Sequence, residues 1–277
     1  MKKKVLILGS RGALASQFIL TFKERNYKNF KIIDRKKNNI IKNIDNLKII
    51  IRNYKPTHIV NCLALTGIDD CEQNVLEAFE INSFFPLKLA ELTRNKKIKL
   101  IHFSTDAVFD GYKKNKIYSE KDKPNPQSVY GKSKYFADKM IVHYKHTLII
   151  RLPLLFGPTN YRQIIGILKS RLLTNKEVFA SSDIFSTPVY TPNLTQFVLK
   201  TIIMKNKFNT KKIIHYTSDK YLSIFGLIKK IAKNLKKEQL VFKVKDSYFK
   251  SNVQKPKNLG LRTLLKYNKN HSDLNYN

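Results

Sequence analysis

Tyr130 and Lys134 stand four residues apart in the run Tyr130-Gly131-Lys132-Ser133-Lys134. On a helix that spacing puts both side chains on one face, one turn apart. A free tyrosine titrates near pH ~10. A neighbouring ammonium favours the phenolate and brings the phenol toward the range useful for proton transfer. The pair alone means little in so lysine-rich a chain. Its location just after a strand tipped by Ser104-Thr105-Asp106 makes it a strong candidate for acid chemistry.

A second constellation opens the chain. Gly9-Ser10-Arg11-Gly12-Ala13-Leu14-Ala15 falls where a first strand turns into a first helix. Glycine suits the backbone angles of such a turn, and Gly12 lets the chain approach a pyrophosphate. The N–H groups at the helix start then face the anion. The spacing is G-x-x-G-x-x-A, not the usual G-x-G-x-x-G. Taken alone, a plain strand-to-helix turn explains it equally well. Asp34 adds weight, because it ends the second strand about 20 residues on, where an acid binds the hydroxyls of an adenosine ribose. Arg11 and Arg35, with Lys36 and Lys37, are placed to pair with a 2′-phosphate. The motif therefore admits both NAD and NADP, and dual use is the expectation.

The elements that must hold these groups are legible from periodicity. Through the first half, short β-branched runs alternate with longer helical patterns, the signature of a parallel sheet wrapped by helices. Strands are expected at residues 4–8, 30–34, 57–62, 99–103 and 147–151. Helices are expected at 12–24, 43–54, 77–94 (interrupted at Pro86) and 126–144. Beyond Arg151 the rhythm loosens, with helices at 163–173, 192–204 and 223–235 and a last strand at 212–216. The fold class is α/β, a Rossmann-type doubly wound parallel sheet. Residues 1–155 form the dinucleotide-binding part and 156–277 mainly a smaller C-terminal substrate-binding cap, with 188–216 returning to the first part. Only the last ten residues read as a disordered tail.

Composition narrows the class. No run approaches the roughly 18 apolar residues of a membrane span, so no membrane partner is expected. MKKKVLILGS imitates a signal peptide, but its apolar run stops before Arg11. Two cysteines make no disulfide framework and fit a reducing cytoplasm, and the six histidines show no metal-ligand spacing. No metal site is expected. The net charge of +33 is a field that attracts polyanions. Residues 205–277 carry +14 and the first 204 carry +19, so the tail is denser in charge. No nucleic-acid-binding motif accompanies it, and lysines scattered over every solvated face explain the number. No nucleic-acid partner is expected.

These segments together resemble an extended short-chain dehydrogenase/reductase, most closely the dTDP-4-dehydrorhamnose reductase group of sugar-nucleotide enzymes. The resemblance rests on GSRGALA, VNCLALTGIDDCE, FEINSFFPLKLA with Asn82, HFSTDAVFDG, PNPQSVYGKSKYFAD and RLPLLFGP. It is strong from residue 4 to about 158 and thinner to about 261. It implies that Tyr130 donates a proton, that Lys134 orients the nicotinamide ribose and lowers the tyrosine pKa, and that Thr105 bonds the substrate carbonyl. It implies a cofactor, NADPH or NADH, bordered by Gly9, Ser10, Arg11, Gly12, Ala13, Leu14, Asp34, Arg35, Cys62, Leu63 and Ala64 as well as Tyr130 and Lys134. The substrate, a nucleotide sugar, falls to Thr105, Asp106, Val108, Phe109 and Lys255. Lys255 replaces an arginine usual in the family, which removes a fork-shaped donor. A homodimer is a possible assembly.

Absences point to reduction of a 4-keto-6-deoxysugar in cell-surface polysaccharide precursor synthesis. Asp106 is followed by Ala107, so the glutamate of the related 4,6-dehydratases is missing, and no cysteine stands where the related epimerase-reductases keep one. An epimerase with tightly bound cofactor and a non-catalytic nucleotide-binding regulatory subunit remain the alternatives. Cys62 reads as a small core residue, His102 as a packed histidine, and Asp69, Asp70 and Glu72 as helix-end charges. Asn82 is a structural residue or part of a proton relay, the structural role being favoured.

Overall fold

The computed structural model describes residues 3–94, 96–112, 117–159, 161, 163–207, 212–249 and 256–265. Lys255 and the last ten residues lie outside them.

Successive residues of the first strand point to opposite sides. Val5 and Ile7 enter one apolar core, Leu6 and Leu8 the other, and all four are fully buried. A strand buried on both faces belongs at the centre of a parallel sheet with helices on each side. The first half runs β1 (Val5–Leu8), α1 (Ala13–Glu24), β2 (Phe30–Ile33), α2 (Ile44–Tyr54) and β3 (His58–Asn61). It continues through α3 (Ile68–Gln73), α4 (Val75–Phe79), α5 (Phe85–Thr93), β4 (Lys99–Thr105), α6 (Val129–Ile141) and β5 (Thr147–Leu152).

The second half is built of shorter pieces. These are β6 (Leu155–Phe156), α7 (Ile164–Leu173), β7 (Val178–Ser181), β8 (Phe185–Ser186), β9 (Val189–Tyr190) and α8 (Thr191–Phe197). Then come β10 (Ile213–His215), β11 (Leu222–Ser223), α9 (Ile224–Asn234), β12 (Val241–Val244) and β13 (Asn258–Leu259).

Six strands form one parallel sheet in the order β2-β1-β3-β4-β5-β10. The winding reverses between β1 and β3, and at such a switch point the loops after the two strands part and leave a crevice for ligand. Helix α1 and residues 194–203 cover one face, and α2, α5 and α6 cover the other. The chain returns to this sheet late: α8 lies on α1, where the Thr21 and Thr195 hydroxyls meet at 2.7 Å, and β10 pairs with β5. A separate core holds α7, α9 and β7 around Leu172, Val178, Ile228 and Ala232.

Two details differ from the periodicity reading. The interruption expected at Pro86 is a π-helical turn at Glu80–Phe84, just upstream; Pro86 itself occupies the first turn of α5. A proline ring cannot sit against the carbonyl four residues back, and a widened turn relieves that clash. The strand expected at 99–103 continues to Thr105, which brings the Thr105 hydroxyl to the sheet edge itself.

Sheet and helix α6 are joined by one buried ion pair. Arg151 on β5 donates from Nε to Asp138 Oδ2 at 3.0 Å, and neither residue is more than 2% exposed. Burial raises the Asp138 pKa, and the Arg151 charge opposes that rise. Arg151→Met removes the cation and leaves a buried carboxylate uncompensated, a loss of about 3–5 kcal/mol. Urea denaturation followed by circular dichroism measures it; an unchanged midpoint would contradict this role.

Candidate active site

The catalytic candidates converge where β4 ends and α6 begins. Ser128 caps α6, its Oγ accepting from Gly131 N at 3.1 Å, and Glu72 Oε1 accepts from Val129 N at 2.8 Å. Glu72 was read from sequence as a helix-end charge; the helix end it serves is that of α6. Gly131 sets the distance between helix and strand tip. A Cβ there would lie 2.2 Å from the Ala107 carbonyl oxygen, so only glycine lets α6 come this close. The sequence reading passed over Gly131, although its position inside the Tyr130–Lys134 run marked it.

Thr105 Oγ1 accepts from Ala107 N at 3.2 Å and lies 3.1 Å from Asp106 Oδ1. The Tyr130 phenol faces the same hydroxyl. Burial pushes the Tyr130 phenol well above its ordinary value; the Thr105 bond opposes this, and Asp106 and Cys71 add to it. The Lys134 ammonium donates to Phe103 O at 2.6 Å and stands 3.3 Å from His102 Nε2. The raised Tyr130 phenol is protonated at neutral pH, the state a proton donor needs.

Lys134 is 2% exposed, and burial pulls its pKa down to about 8, with the Asp138 charge opposing. Its neighbour adds a reason. Asn61 Oδ1 accepts from Leu63 N at 3.2 Å, which aims Asn61 Nδ2 at His102 Nδ1, 3.1 Å away. His102 Nδ1 must then accept, and the ring proton sits on Nε2, facing Lys134. His102 is fully buried, as the sequence reading held, yet its ring touches the lysine of the pair. The contact was not legible because it joins β4 to α6.

Asn82, in the π turn, holds the loop after β3. Its Oδ1 accepts from Leu65 N at 2.9 Å, and its Nδ2 donates to Leu65 O at 3.0 Å and to Ser133 Oγ at 3.1 Å. All three contacts are structural. They tie the loop carrying Cys62, Leu63 and Ala64 to the helix carrying Tyr130 and Lys134. Burial pushes the Cys62 thiol up, which keeps it unreactive.

The glycine loop lies beside that same strand tip. Gly9 has φ of 99°, in the region that favours glycine, and a Cβ there would stand 3.1 Å from Leu63 and 3.3 Å from the Cys62 carbonyl. Gly12 closes the turn by donating to Gly9 O at 2.9 Å, and its own Cβ would come 3.3 Å from that oxygen. Helix α1 starts at Ala13 with no side-chain cap and no acidic residue in its first turn. Its first N–H groups, with Leu14 among them, are left for an anion, which fits a dinucleotide pyrophosphate. Thr159, outside every motif singled out, hydrogen-bonds Ala13 O at 2.9 Å.

Asp34 is fully engaged. Oδ2 accepts from Arg11 Nε at 2.6 Å and Ser10 Oγ at 3.1 Å, and Oδ1 from Lys36 N and Lys37 N at 2.9 Å each. Those bonds, the Lys37 N–H foremost, hold its carboxyl down at about 2. Arg35 points elsewhere, 3.9 Å from Glu77, because Asp34 already has Arg11. Among the substrate candidates, Thr105 and Asp106 face Tyr130. Val108 and Phe109 do not: both are fully buried with Tyr118 and Leu261, and Phe109 is sandwiched by Tyr118 at 4.3 Å and Arg151 at 5.4 Å. The turn after Thr105 directs both side chains into the interior. Among the described residues no group of three His, Cys, Asp or Glu could hold a metal ion, and no helix is long and apolar enough to cross a membrane.

A parallel sheet with a glycine turn at its switch point and a Thr-Tyr-Lys set at the neighbouring strand tip defines an extended short-chain dehydrogenase/reductase. Within that class the chain belongs to the RmlD substrate binding domain family, whose model matches residues 2–271. The spore coat polysaccharide biosynthesis protein SpsK of Bacillus subtilis (strain 168) is 29% identical over 71% of this chain and 69% of its own length. A dTDP-4-dehydrorhamnose reductase of Aggregatibacter actinomycetemcomitans is 30% identical over 66% of this chain and 63% of its own length. The chain thus spans about two thirds of these curated relatives. The dTDP-4-dehydrorhamnose reductase of Bacillus anthracis str. Ames, solved in complex with NADP, superposes with a TM-score of 0.85 over 95% of this chain and 91% of that one, at 24% identity.

Because Arg11 neutralises Asp34, the ribose corner neither strongly repels nor strongly draws a 2′-phosphate. NADH and NADPH should be used within about tenfold of each other in kcat/KM, or about 1.4 kcal/mol. Arg11→Ala should shift preference toward NADH, and Asp34→Ala toward NADPH. Steady-state kinetics with both cofactors decide it; an Arg11→Ala protein with unchanged preference would remove this corner from the cofactor site.

Proposed function

We propose that this chain reduces the ketone of a nucleotide-activated 4-keto-6-deoxysugar, with NADPH or NADH as reductant, in the supply of precursors for a cell-surface polysaccharide. The observation that carries the reading is the convergence of Thr105, Tyr130 and Lys134 beside an uncapped helix start. The named activities of the relatives support it, as does the NADP in the B. anthracis structure. A reducing cytoplasm suits its two free cysteines.

A nicotinamide cofactor, when bound, would supply the hydride. Tyr130, kept protonated by burial, gives its proton to the oxygen that becomes the alkoxide, and Thr105 steadies that oxygen with a second hydrogen bond. Lys134, held by Phe103 O, is the residue assigned to the nicotinamide ribose. Val108 and Phe109 keep Thr105 and Asp106 in register from beneath. Tyr130→Phe should lower turnover by at least about 10²-fold while leaving cofactor affinity within a few-fold. Loss of NAD(P)H absorbance over a panel of nucleotide 4-ketosugars, with isothermal titration of the cofactor, tests it. Near-normal turnover by the variant would remove the assignment.

The assembly we propose is a homodimer through the outer face of α4 and α6. Leu76 is 88% exposed, and Val75, Phe84 and Phe136 are exposed beside it. Phe136 packs against Phe79 and Phe84 at 6.0 and 6.2 Å. Apolar groups gathered this way on a protein surface mark an association site. Sedimentation velocity should give a dimer that Phe136→Glu converts to a monomer; a monomeric wild type at tens of micromolar would contradict it.

A further inference from the structure

The Thr105 hydroxyl has more partners than it can serve. A hydroxyl offers one proton and two lone pairs. The Ala107 N–H takes one lone pair at 3.2 Å. One proton and one lone pair are left for three claimants. Asp106 Oδ1 lies at 3.1 Å, the Tyr130 hydroxyl faces the same oxygen, and the substrate carbonyl is the third.

The charge on Asp106 decides the outcome. An ionised carboxylate only accepts, so it takes the Thr105 proton. Thr105 then accepts from Tyr130, and both hydrogens needed at the carbonyl point away from it. A protonated Asp106 donates instead to the Thr105 lone pair. The Thr105 proton and the Tyr130 proton are then both released toward the substrate oxygen.

We propose that Asp106 is a positioning residue whose protonated carboxyl turns the Thr105 hydroxyl toward the substrate carbonyl, so that the neutral form is the working one. This rests on the reductase reading above. Asp106 is 8% exposed and forms no ion pair among the described residues. The groups facing it are Thr105 from β4, the Ala107 N–H from the turn, and Tyr130 from α6, with Cys71 of α3 beyond Tyr130. The charged neighbours on the adjoining elements are turned elsewhere, Lys134 to Phe103 O and Glu72 to Val129 N. Burial pushes the Asp106 carboxyl up to about 7, against the bonds from Thr105 and Ala107 that pull it down. The switch therefore falls within the physiological range.

Asp106→Asn tests the assignment, because its amide donates permanently and imitates the neutral acid. Wild-type kcat should fall about threefold between about pH 6 and about pH 7.5, below the range in which Lys134 loses its proton, and the variant's should stay nearly flat there. The KM for cofactor should follow the same course in both. Parallel profiles in variant and wild type would overturn the proposal. A second measurement needs neither substrate nor variant activity. In wild-type protein carrying 13C-labelled aspartate carboxyls, one resonance that is missing from the Asp106→Asn protein should titrate near neutrality, and the Ala107 amide should move with it as the Thr105 hydroxyl turns. If that resonance titrates below about pH 5, the proposal fails. If no nucleotide 4-ketosugar is reduced at any pH, the reductase reading fails while the carbon titration still decides the state of Asp106.

Discussion

An ammonium group withdrawn from water is destabilised by several kcal/mol unless the protein replaces its hydration, and Lys134 is almost wholly withdrawn. Its replacement partner is a fixed point of the sheet, the Phe103 carbonyl, with the His102 ring, oriented by Asn61, packed beside it. That requirement fixes α6 against the tips of β3 and β4. Around it stand the Arg151–Asp138 pair behind, Asn82 to one side and Gly131 at the contact. Each has a different local chemistry, and each acts on the placement of one helix.

The same placement brings two loops together. The turn after β1 meets the tip of β3 because the sheet order reverses there, and Gly9 permits the approach. The loop after β3 is held by Asn82, and Asn82 is held by Ser133 of α6. The cofactor candidates at residues 9–14 and 62–64 thus share one framework with Tyr130 and Lys134. Displacing α6 would disturb both halves of the site at once, so a mutation far from any ligand can act on turnover.

Much of this was legible before any coordinates. The strands at 4–8, 57–62 and 147–151 carry short runs of Val, Ile, Leu and Thr, and buried parallel strands read plainly in such runs. The glycine turn, Asp34 and the Tyr-Lys pair are local patterns with local causes. What escaped is non-local. His102 reads as core from its neighbours Ile101 and Phe103, and only the packing of α6 shows that its ring meets Lys134. Arg35 looked equivalent to Arg11 beside Asp34, but the bonds from Ser10 and Arg11 exclude it. Val108 and Phe109 share a motif with Thr105, and a single turn of chain sends them to the interior. The short strands β7, β12 and β13 were missed because they lie outside the alternation of strand and helix that marks the first half.

The central claim is that this geometry moves a hydride onto a sugar ketone and a proton onto its oxygen. Transfer of label tests it most directly. The protein would be given a nucleotide 4-keto-6-deoxysugar and NADPH deuterated at nicotinamide C-4, in each of the two stereochemical forms, and the products read by mass spectrometry and NMR. The account predicts that one form delivers deuterium to sugar C-4, with one NADPH oxidised for each sugar reduced. A sugar that changes configuration with no net oxidation of NADPH, or an intact ketone beside unconsumed NADPH, would contradict it.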